Sequence, residues 1–354
     1  MAEKSLRIAL VGAATLLGKA LNDELSASAF ASADFRLMDD EDALGKLAAA
    51  ADEVTFIQRI EADSFDGCDF TFFAGHPEIT KKHWRQAVKA GSSIVDLSGA
   101  LEDASGVMVR APWIQEERIT AGATLSAPSD LATPNLQTRA VVSAHPVAVL
   151  LALLAARSQR VAPLHRVWVT LLQPASEYGH AALEELHQQT TNLLSFQPMP
   201  TEVFGGQTAF NLAISFGAEG RVKLDTVSEA VRRHYEKIAL APTATLALQV
   251  IQVPVFHGYA LSIALEFGKP IAVGTLEQAL AGTHVRIVAN TSEFPGNVQA
   301  VEEEEVQILV QPVGDQKTDR FWLWIVADNL KFAAQNAVAC AAELNRLRPR
   351  GKVQ

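Results

Sequence analysis

Residues 6–18 read LRIALVGAATLLG, an apolar run that stops on Gly12 and is followed six residues later by Gly18. An unbroken apolar run of this length is the form of a strand covered on both faces of its sheet. Residues 18–25 then take up helical periodicity, so the stretch reads as strand, turn and helix. In a dinucleotide-binding turn the first glycine makes the tight bend, the middle one lets backbone approach a pyrophosphate, and the last allows close helix–strand packing. Gly12 and Gly18 hold the outer places and Thr15 the middle one. A Cβ at Thr15 crowds a pyrophosphate, yet the helix N-terminus still attracts an anion. Two readings stay open. Either Gly12, Ala14, Thr15, Leu16, Leu17 and, on a later strand, Ala74 hold a nucleotide, or this is a plain βα turn.

Working outward, residues 34–38 read as a second strand that leads into Asp39, Asp40, Glu41 and Asp42. This is about 20 residues beyond Gly18, where an acid ordinarily bonds a ribose hydroxyl. Four consecutive carboxylates repel a 2′-phosphate. If a dinucleotide binds, NAD is therefore favoured over NADP; the alternative is an acidic surface loop. Residues 69–74 (DFTFFA) and 92–97 (SSIVDL) read as strands, with a helix over 77–90 ending at Gly91. Strands alternating with helices at this spacing imply an α/β, Rossmann-like, doubly wound parallel sheet.

The pattern then changes. Residues 147–156 (VAVLLALLAA) predict a helix buried all round, and 166–172 (RVWVTLL) an alternating strand. Residues 250–255, 260–267, 285–289, 306–313 and 321–326 add strands, which together predict a large mixed or antiparallel sheet. Residues 302–305, four glutamates, read as a solvated turn, since four adjacent carboxylates cannot all face one ion. An Ala-rich helix closes the chain over 331–347.

The chain has 354 residues and a net charge of -10, which argues against nucleic acid. Two cysteines, Cys68 and Cys340, are too few for a disulfide framework, and the nine histidines show no metal-ligand spacing. No metal is expected. Lys4, Arg7 and the apolar run after them imitate a secretion signal, but Gly12, Gly18, Lys19, Asp23 and Glu24 break it. No stretch approaches the ~20 apolar residues needed to cross a bilayer. A cytoplasmic protein without membrane contact is expected.

Four fragments, in order, carry a resemblance. They are 69–74 with 94–100 (IVDLSGA), 166–179 (RVWVTLLQPASEYG), 252–259 (QVPVFHGY) and 328–338 (DNLKFAAQNAV). They are similar to segments of the aspartate-semialdehyde dehydrogenase family built around Asp-Asn-Ser-Ser, Tyr-Gln-x-x-Ser-Gly-x-Gly, Arg-Val-Pro-Val-x-x-Gly-His and a closing Asp-Asn-Leu helix. The resemblance implies a nucleotide domain over residues 1–142, completed by a helix at 330–354, and a dimerisation domain over 143–329 whose sheet pairs two copies.

The resemblance also implies a reaction. A Cys thiolate attacks an aldehyde, hydride passes to NADP, and phosphate releases the thioester, with a His as acid/base and arginines on the anions. Carried over residue by residue, the Asn-Cys pair falls on His145 and Pro146, and proline has no nucleophile. The acid/base His falls on Tyr259, the substrate Arg on Gln252, and the phosphate Arg on Glu102. The family's Glu-Glu-x-Lys segment falls near residues 227–230 without its Lys. Gln173, Ser176, Gly179 and Asn336 survive; the first orients substrate in the family and the last contacts nicotinamide. The expectation is a non-catalytic homologue that keeps the fold, a homodimer and a nucleotide or small-molecule pocket. The alternatives beside it are an active NAD(P)-dependent semialdehyde dehydrogenase, another activity using a relocated nucleophile such as Ser143 with His145, and a subunit that associates with a true semialdehyde dehydrogenase.

Overall fold

The computed structural model describes residues 5–39, 47–50, 53–61, 63–121, 133–217, 219–239, 245–288, 295–301 and 303–347. Asp40, Glu41, Asp42 and Glu302 lie outside the described residues. The chain divides into two compact units, the first formed by Met1–Gln115, Ser129–Pro146 and Ala333–Gln354, the second by Glu116–Pro128 and Val147–Phe332.

The first unit is built on β1 (Arg7–Val11), α1 (Leu16–Ser26), β2 (Asp34–Asp39), a small hairpin β3 (Leu47–Ala50) and β4 (Glu53–Phe56), β5 (Gln58–Arg59), β6 (Phe70–Phe73), α2 (Pro77–Lys89), β7 (Ser93–Asp96), β8 (Met108–Arg110), the start of α3 (Pro112–Ala121) and β9 (Ala140–Ser143). Seven strands pair in parallel in the order β5-β2-β1-β6-β7-β9-β8. β1 lies between β2 and β6, which is why Ile8, Ala9, Leu10 and Val11 are all fully buried. On one face, Leu21 and Leu25 of α1 pack with Ala334, Ala337, Cys340, Ala341 and Leu344 into a single core. Each such leucine contributes roughly 1.5–3 kcal/mol of transfer free energy.

The second unit contains α4 (Pro146–Gln159), β10 (Leu164–Gln173), a 3-10 turn (Ala175–Tyr178), α5 (His180–Leu194), α6 (Leu224–Ile238), β11 (Thr245–Gln252), β12 (Tyr259–Ala272), α7 (Val273–Leu280), β13 (Val285–Ile287), α8 (Asn297–Ala300), β14 (Val306–Pro312), β15 (Lys317–Ala327) and the start of α9 (Asn329–Leu347). Its sheet runs β11-β10-β12-β15-β14-β13 and is mixed: β10/β11 and β13/β14 are parallel, the other pairs antiparallel. Val167, Val169, Leu171, Ile263, Leu265, Leu323 and Ile325 fill the inner face, while the residues between them point outward, the alternation of a half-covered sheet. α4 is buried from Val147 to Ser158, as its continuous apolar sequence dictates.

Among the boundaries that differ from the sequence expectation are two strand ends. The strand expected over 250–255 is β11, Thr245–Gln252. Pro254 has no N–H to continue a ladder, and the Val253 N–H is drawn to the Gln173 carbonyl at 3.2 Å. The strand expected over 285–289 stops at Ile287.

Candidate functional site

The turn after β1 is set by two backbone contacts. Gly12 has φ +89°, and a Cβ there would lie 2.4 Å from the Gly75 nitrogen. A Cβ on Gly18 would lie 2.0 Å from the Gly12 carbonyl oxygen. Both glycines are required by closeness of backbone, the roles the spacing assigned to them. Thr15, the residue expected to crowd a pyrophosphate, turns its hydroxyl into the protein. It bonds the Gly12 and Ala74 carbonyls at 2.8 and 3.0 Å and caps α1 by accepting from the Gly18 N–H at 2.9 Å. Asp39, buried at the end of β2, accepts from the Ala14 N–H at 2.7 Å. One carboxylate thus sits against the turn itself, at the strand end where a ribose would lie. Leu16 and Leu17 open the helix with their amides at its positive end. Residues, turn and acid fit a dinucleotide: the Leu16 and Leu17 N–H groups at the helix start would face the pyrophosphate and Asp39 an adenosine ribose.

The same unit holds the head of α4. Pro146 is the first residue of that helix, where its missing N–H costs nothing. Burial pushes the His145 imidazole down to about 4, so it is neutral and weakly basic at pH 7. Ser143, at the end of β9, accepts a hydrogen bond from Asn336 Nδ2 at 2.8 Å, and the same nitrogen lies 3.2 Å from the Arg110 carbonyl. Asn336 is fully buried, its amide nitrogen committed to protein while its Oδ1 has no hydrogen-bond partner among the described residues. Arg110 in turn makes a two-pronged pair with Glu343 at 3.0 and 2.5 Å. Cys340 lies beside this group, 3.7 Å from the Arg110 carbonyl, and burial raises its thiol far above the ordinary range. Cys68 is also buried and raised by desolvation. Both thiols stay protonated at neutral pH, so neither is an activated nucleophile. Glu102 stands in the turn after β7, its amide on the Gly99 carbonyl at 3.3 Å.

In the second unit, sequence positions 79 residues apart meet. Gln173 and Gln252 end neighbouring parallel strands in register and are fully buried. Gln252 Nε2 donates to the carbonyls of Gln173 and Val253 at 2.9 and 3.1 Å, so its amide nitrogen serves backbone, while its Oε1 is buried without a hydrogen-bond partner. Tyr259, which begins β12, donates its hydroxyl to Glu177 Oε2 at 2.6 Å. Asn329 binds the same oxygen at 3.3 Å, accepts from the Gly258 N–H at 3.1 Å, and shares 3.1 Å with the Ser176 hydroxyl. Burial raises the Glu177 carboxyl, partly offset by its bonds to Tyr259 and Asn329. Burial and the Glu177 charge raise the Tyr259 phenol well above its ordinary value. Gly179 carries φ +80° between the 3-10 turn and α5, which explains its retention.

Glu177 is the residue that sequence reasoning missed. In the gapless match over 166–179 it falls on the first glycine of Ser-Gly-x-Gly, and a charged residue there was a readable signal. Gln173, Ser176, Gln252 and Tyr259 are brought together; Ser143, Asn336, Pro146 and Glu102 belong to the first unit, as do Gly12, Ala14, Thr15, Leu16, Leu17 and Ala74.

Residues 7–121 match the semialdehyde dehydrogenase NAD binding domain, and residues 153–332 match the semialdehyde dehydrogenase dimerisation domain. The chain belongs to the semialdehyde dehydrogenase family. It is similar to a USG-1 protein homolog of Pseudomonas aeruginosa, 29% identical over 94% of this chain and 96% of that protein. It is also similar to an aspartate-semialdehyde dehydrogenase of Rickettsia bellii, 25% identical over 96% and 98%. Among solved structures it resembles a probable aspartate-semialdehyde dehydrogenase from Pseudomonas aeruginosa, with a TM-score of 0.81, 26% identity, and coverage of 97% and 99%. Within this semialdehyde dehydrogenase framework, no helix among the described residues is long and apolar enough to cross a membrane.

Proposed function

We propose that this chain is a non-catalytic member of its family, a homodimer that keeps an NAD-preferring nucleotide turn and has given up aldehyde oxidation. The observation that carries the reading is at the head of α4. Where the resemblance puts the attacking thiol, Pro146 presents a saturated ring with neither nucleophile nor N–H. The other changed positions agree in sign. Gln252 has no charge for a substrate carboxylate and spends its amide nitrogen on backbone carbonyls. Glu102 brings a negative charge where phosphate would be held. Tyr259 cannot shuttle protons near neutrality, because its phenol is raised and bonded to Glu177.

A relocated nucleophile gains no support. The Ser143 hydroxyl is occupied by Asn336, and an imidazole with a pKa of about 4 is a poor general base. Names of relatives divide between USG-1 protein homolog and aspartate-semialdehyde dehydrogenase at similar identity, so they do not choose between the readings. The nucleotide half rests on the Gly12–Gly18 turn and Asp39, whose carboxylate would accept from a ribose 2′-hydroxyl and repel a 2′-phosphate. Isothermal titration with NAD and NADP tests it. NAD binding without turnover supports the reading, and tighter binding of NADP contradicts it.

A further inference from the structure

Four buried polar atoms of the second unit gather at the ends of two strands and have no hydrogen-bond partner among the described residues: Gln173 Nε2 and Oε1, Gln252 Oε1 and the Tyr178 hydroxyl. Buried polar groups are ordinarily paired, and each one left alone costs stability. Gln173 and Gln252 close the parallel pair β10 and β11 in register, so their side chains stand in one row on one face, about 4.8 Å apart. Ligands of parallel strands commonly lie beyond the carboxyl ends, which is where both glutamines sit. Past these ends the two chains stay side by side, the Ala175 and Ser176 N–H groups bonding the Val255 and Phe256 carbonyls at 2.8 and 2.9 Å. Tyr178 follows on the 3-10 turn, its ring T-shaped against Phe204 with centroids 6.4 Å apart. Phe204 is fully buried, and its N–H is fixed on the Glu185 carboxylate at 2.9 Å. Burial raises the Tyr178 phenol, the Glu177 charge adds to the rise, and the neighbouring Gln173 amide lowers it in part. The frame is stiff, and what it leaves over is polar.

We propose that Gln173, Gln252 and Tyr178 form a binding site for a neutral primary carboxamide. The inventory of donors and acceptors selects that group. A glutamine amide pairs with a second primary amide through two N–H···O bonds, one given and one received, as it does with the donor–acceptor edge of adenine. Gln173 has both of its amide atoms left for this pairing. The second N–H of the ligand then meets Gln252 Oε1, and the Tyr178 hydroxyl donates to the remaining lone pair of the ligand carbonyl. A carboxylate fails the same inventory. It carries acceptors only, so it would face the carbonyl oxygens of both glutamines, with the Glu177 charge close enough to act on Tyr178. Gln252 supplies no cation to offset it, and burying an unpaired charge is costly. The ligand class therefore differs from the anionic substrate that the resemblance implies. The inference goes beyond the non-catalytic reading and does not depend on it, since it concerns what this end of the sheet holds whether or not a nucleotide binds in the first unit.

The test is a saturation-transfer NMR titration of the full chain with propionamide and with propionate, its charged isostere. Propionamide should bind at least about tenfold more tightly than propionate. Gln173→Met keeps the length of the side chain and removes both amide atoms, and it should weaken propionamide at least about tenfold. Tyr178→Phe, which removes a single hydroxyl, should weaken it by a smaller factor. Far-ultraviolet circular dichroism establishes that each variant is folded. Because the atoms lost in Gln173→Met have no partner in the protein, its urea midpoint should equal or exceed that of the wild type. Propionate binding as tightly as propionamide overturns the proposal. So does the absence of saturable propionamide binding up to ~100 mM, the range open to a ligand this small. Binding unchanged in Gln173→Met overturns it too. A lowered urea midpoint in Gln173→Met also overturns it, because the amide would then already serve the protein through a buried water.

Discussion

The hydroxyl of Tyr259 donates to Glu177 Oε2 at 2.6 Å, and these are two of the positions at which the chain departs from its family's pattern. Neither residue is comfortable alone. A carboxyl in this environment, deprived of the phenol, would lose its 2.6 Å bond and keep the longer one from Asn329. Tyr259→Phe is therefore expected to cost about 1–3 kcal/mol, and the Tyr259→Phe and Glu177→Gln pair to couple by roughly 1–2 kcal/mol, in urea denaturation. Additive effects would show that the contact is incidental. Burial raises the Glu177 carboxyl above its reference value of 4.5, so its contribution is complete below that pH and is lost as pH rises through the raised value. Wild type should accordingly lose stability relative to Glu177→Gln as pH climbs above about 4.5.

His145 gives the opposite slope. Its folded value is depressed to about 4 from 6.5, so the stability it contributes is present above 6.5 and is lost as pH falls toward 4. His284, likewise depressed to about 4 by burial, acts in the same window. Guanidinium titrations between pH 7 and 4 should show a falling midpoint, flattened in His145→Gln and flatter still with His284→Gln added. An unchanged slope in the double variant would show that both imidazoles are solvated.

At the nucleotide turn, Gly12→Ala combines a left-handed backbone with a Cβ placed 2.4 Å from the Gly75 nitrogen. The expected cost is about 2–4 kcal/mol, read as a lowered denaturation midpoint. A loss under about 0.5 kcal/mol would mean that the β1 and β6 ends separate freely.

Asp39→Asn keeps an oxygen for the Ala14 N–H and removes the charge. Wild type should prefer NAD to NADP by at least about tenfold, which is ~1.4 kcal/mol, and the variant should lose most of that preference. Calorimetric dissociation constants for both nucleotides check it. A preference unchanged in the variant would remove Asp39 from the nucleotide account.

Much of this was legible because it is local. The Gly12–Gly18 spacing fixes a turn within seven residues, and the alternation of 166–172 fixes a half-covered strand. Less legible were features decided at a distance. β8 has three residues, too few for any period to register, and forms through pairing with β9 and the contacts of Arg110 with α9. α9 begins at Asn329 and not at 331, because the Asp328 carboxylate caps the Leu330 and Lys331 N–H groups at 3.0 Å. The exposed sequence T-L-A-L-Q at the start of β11 reads as a loop until β10 supplies its ladder. Glu177 was visible as a departure from a motif, but its partner Tyr259 lies 82 residues away, and only the fold brings them into contact.

The most direct measurement of the central claim is steady-state turnover. Pure protein is incubated with aspartate semialdehyde, phosphate and either NAD or NADP, and reduced nicotinamide is followed by absorbance. With Pro146 in the place of the thiol, formation should not exceed the no-protein background with either nucleotide. Turnover above that background, abolished by Ser143→Ala or Tyr259→Phe in protein that remains folded, would contradict the account.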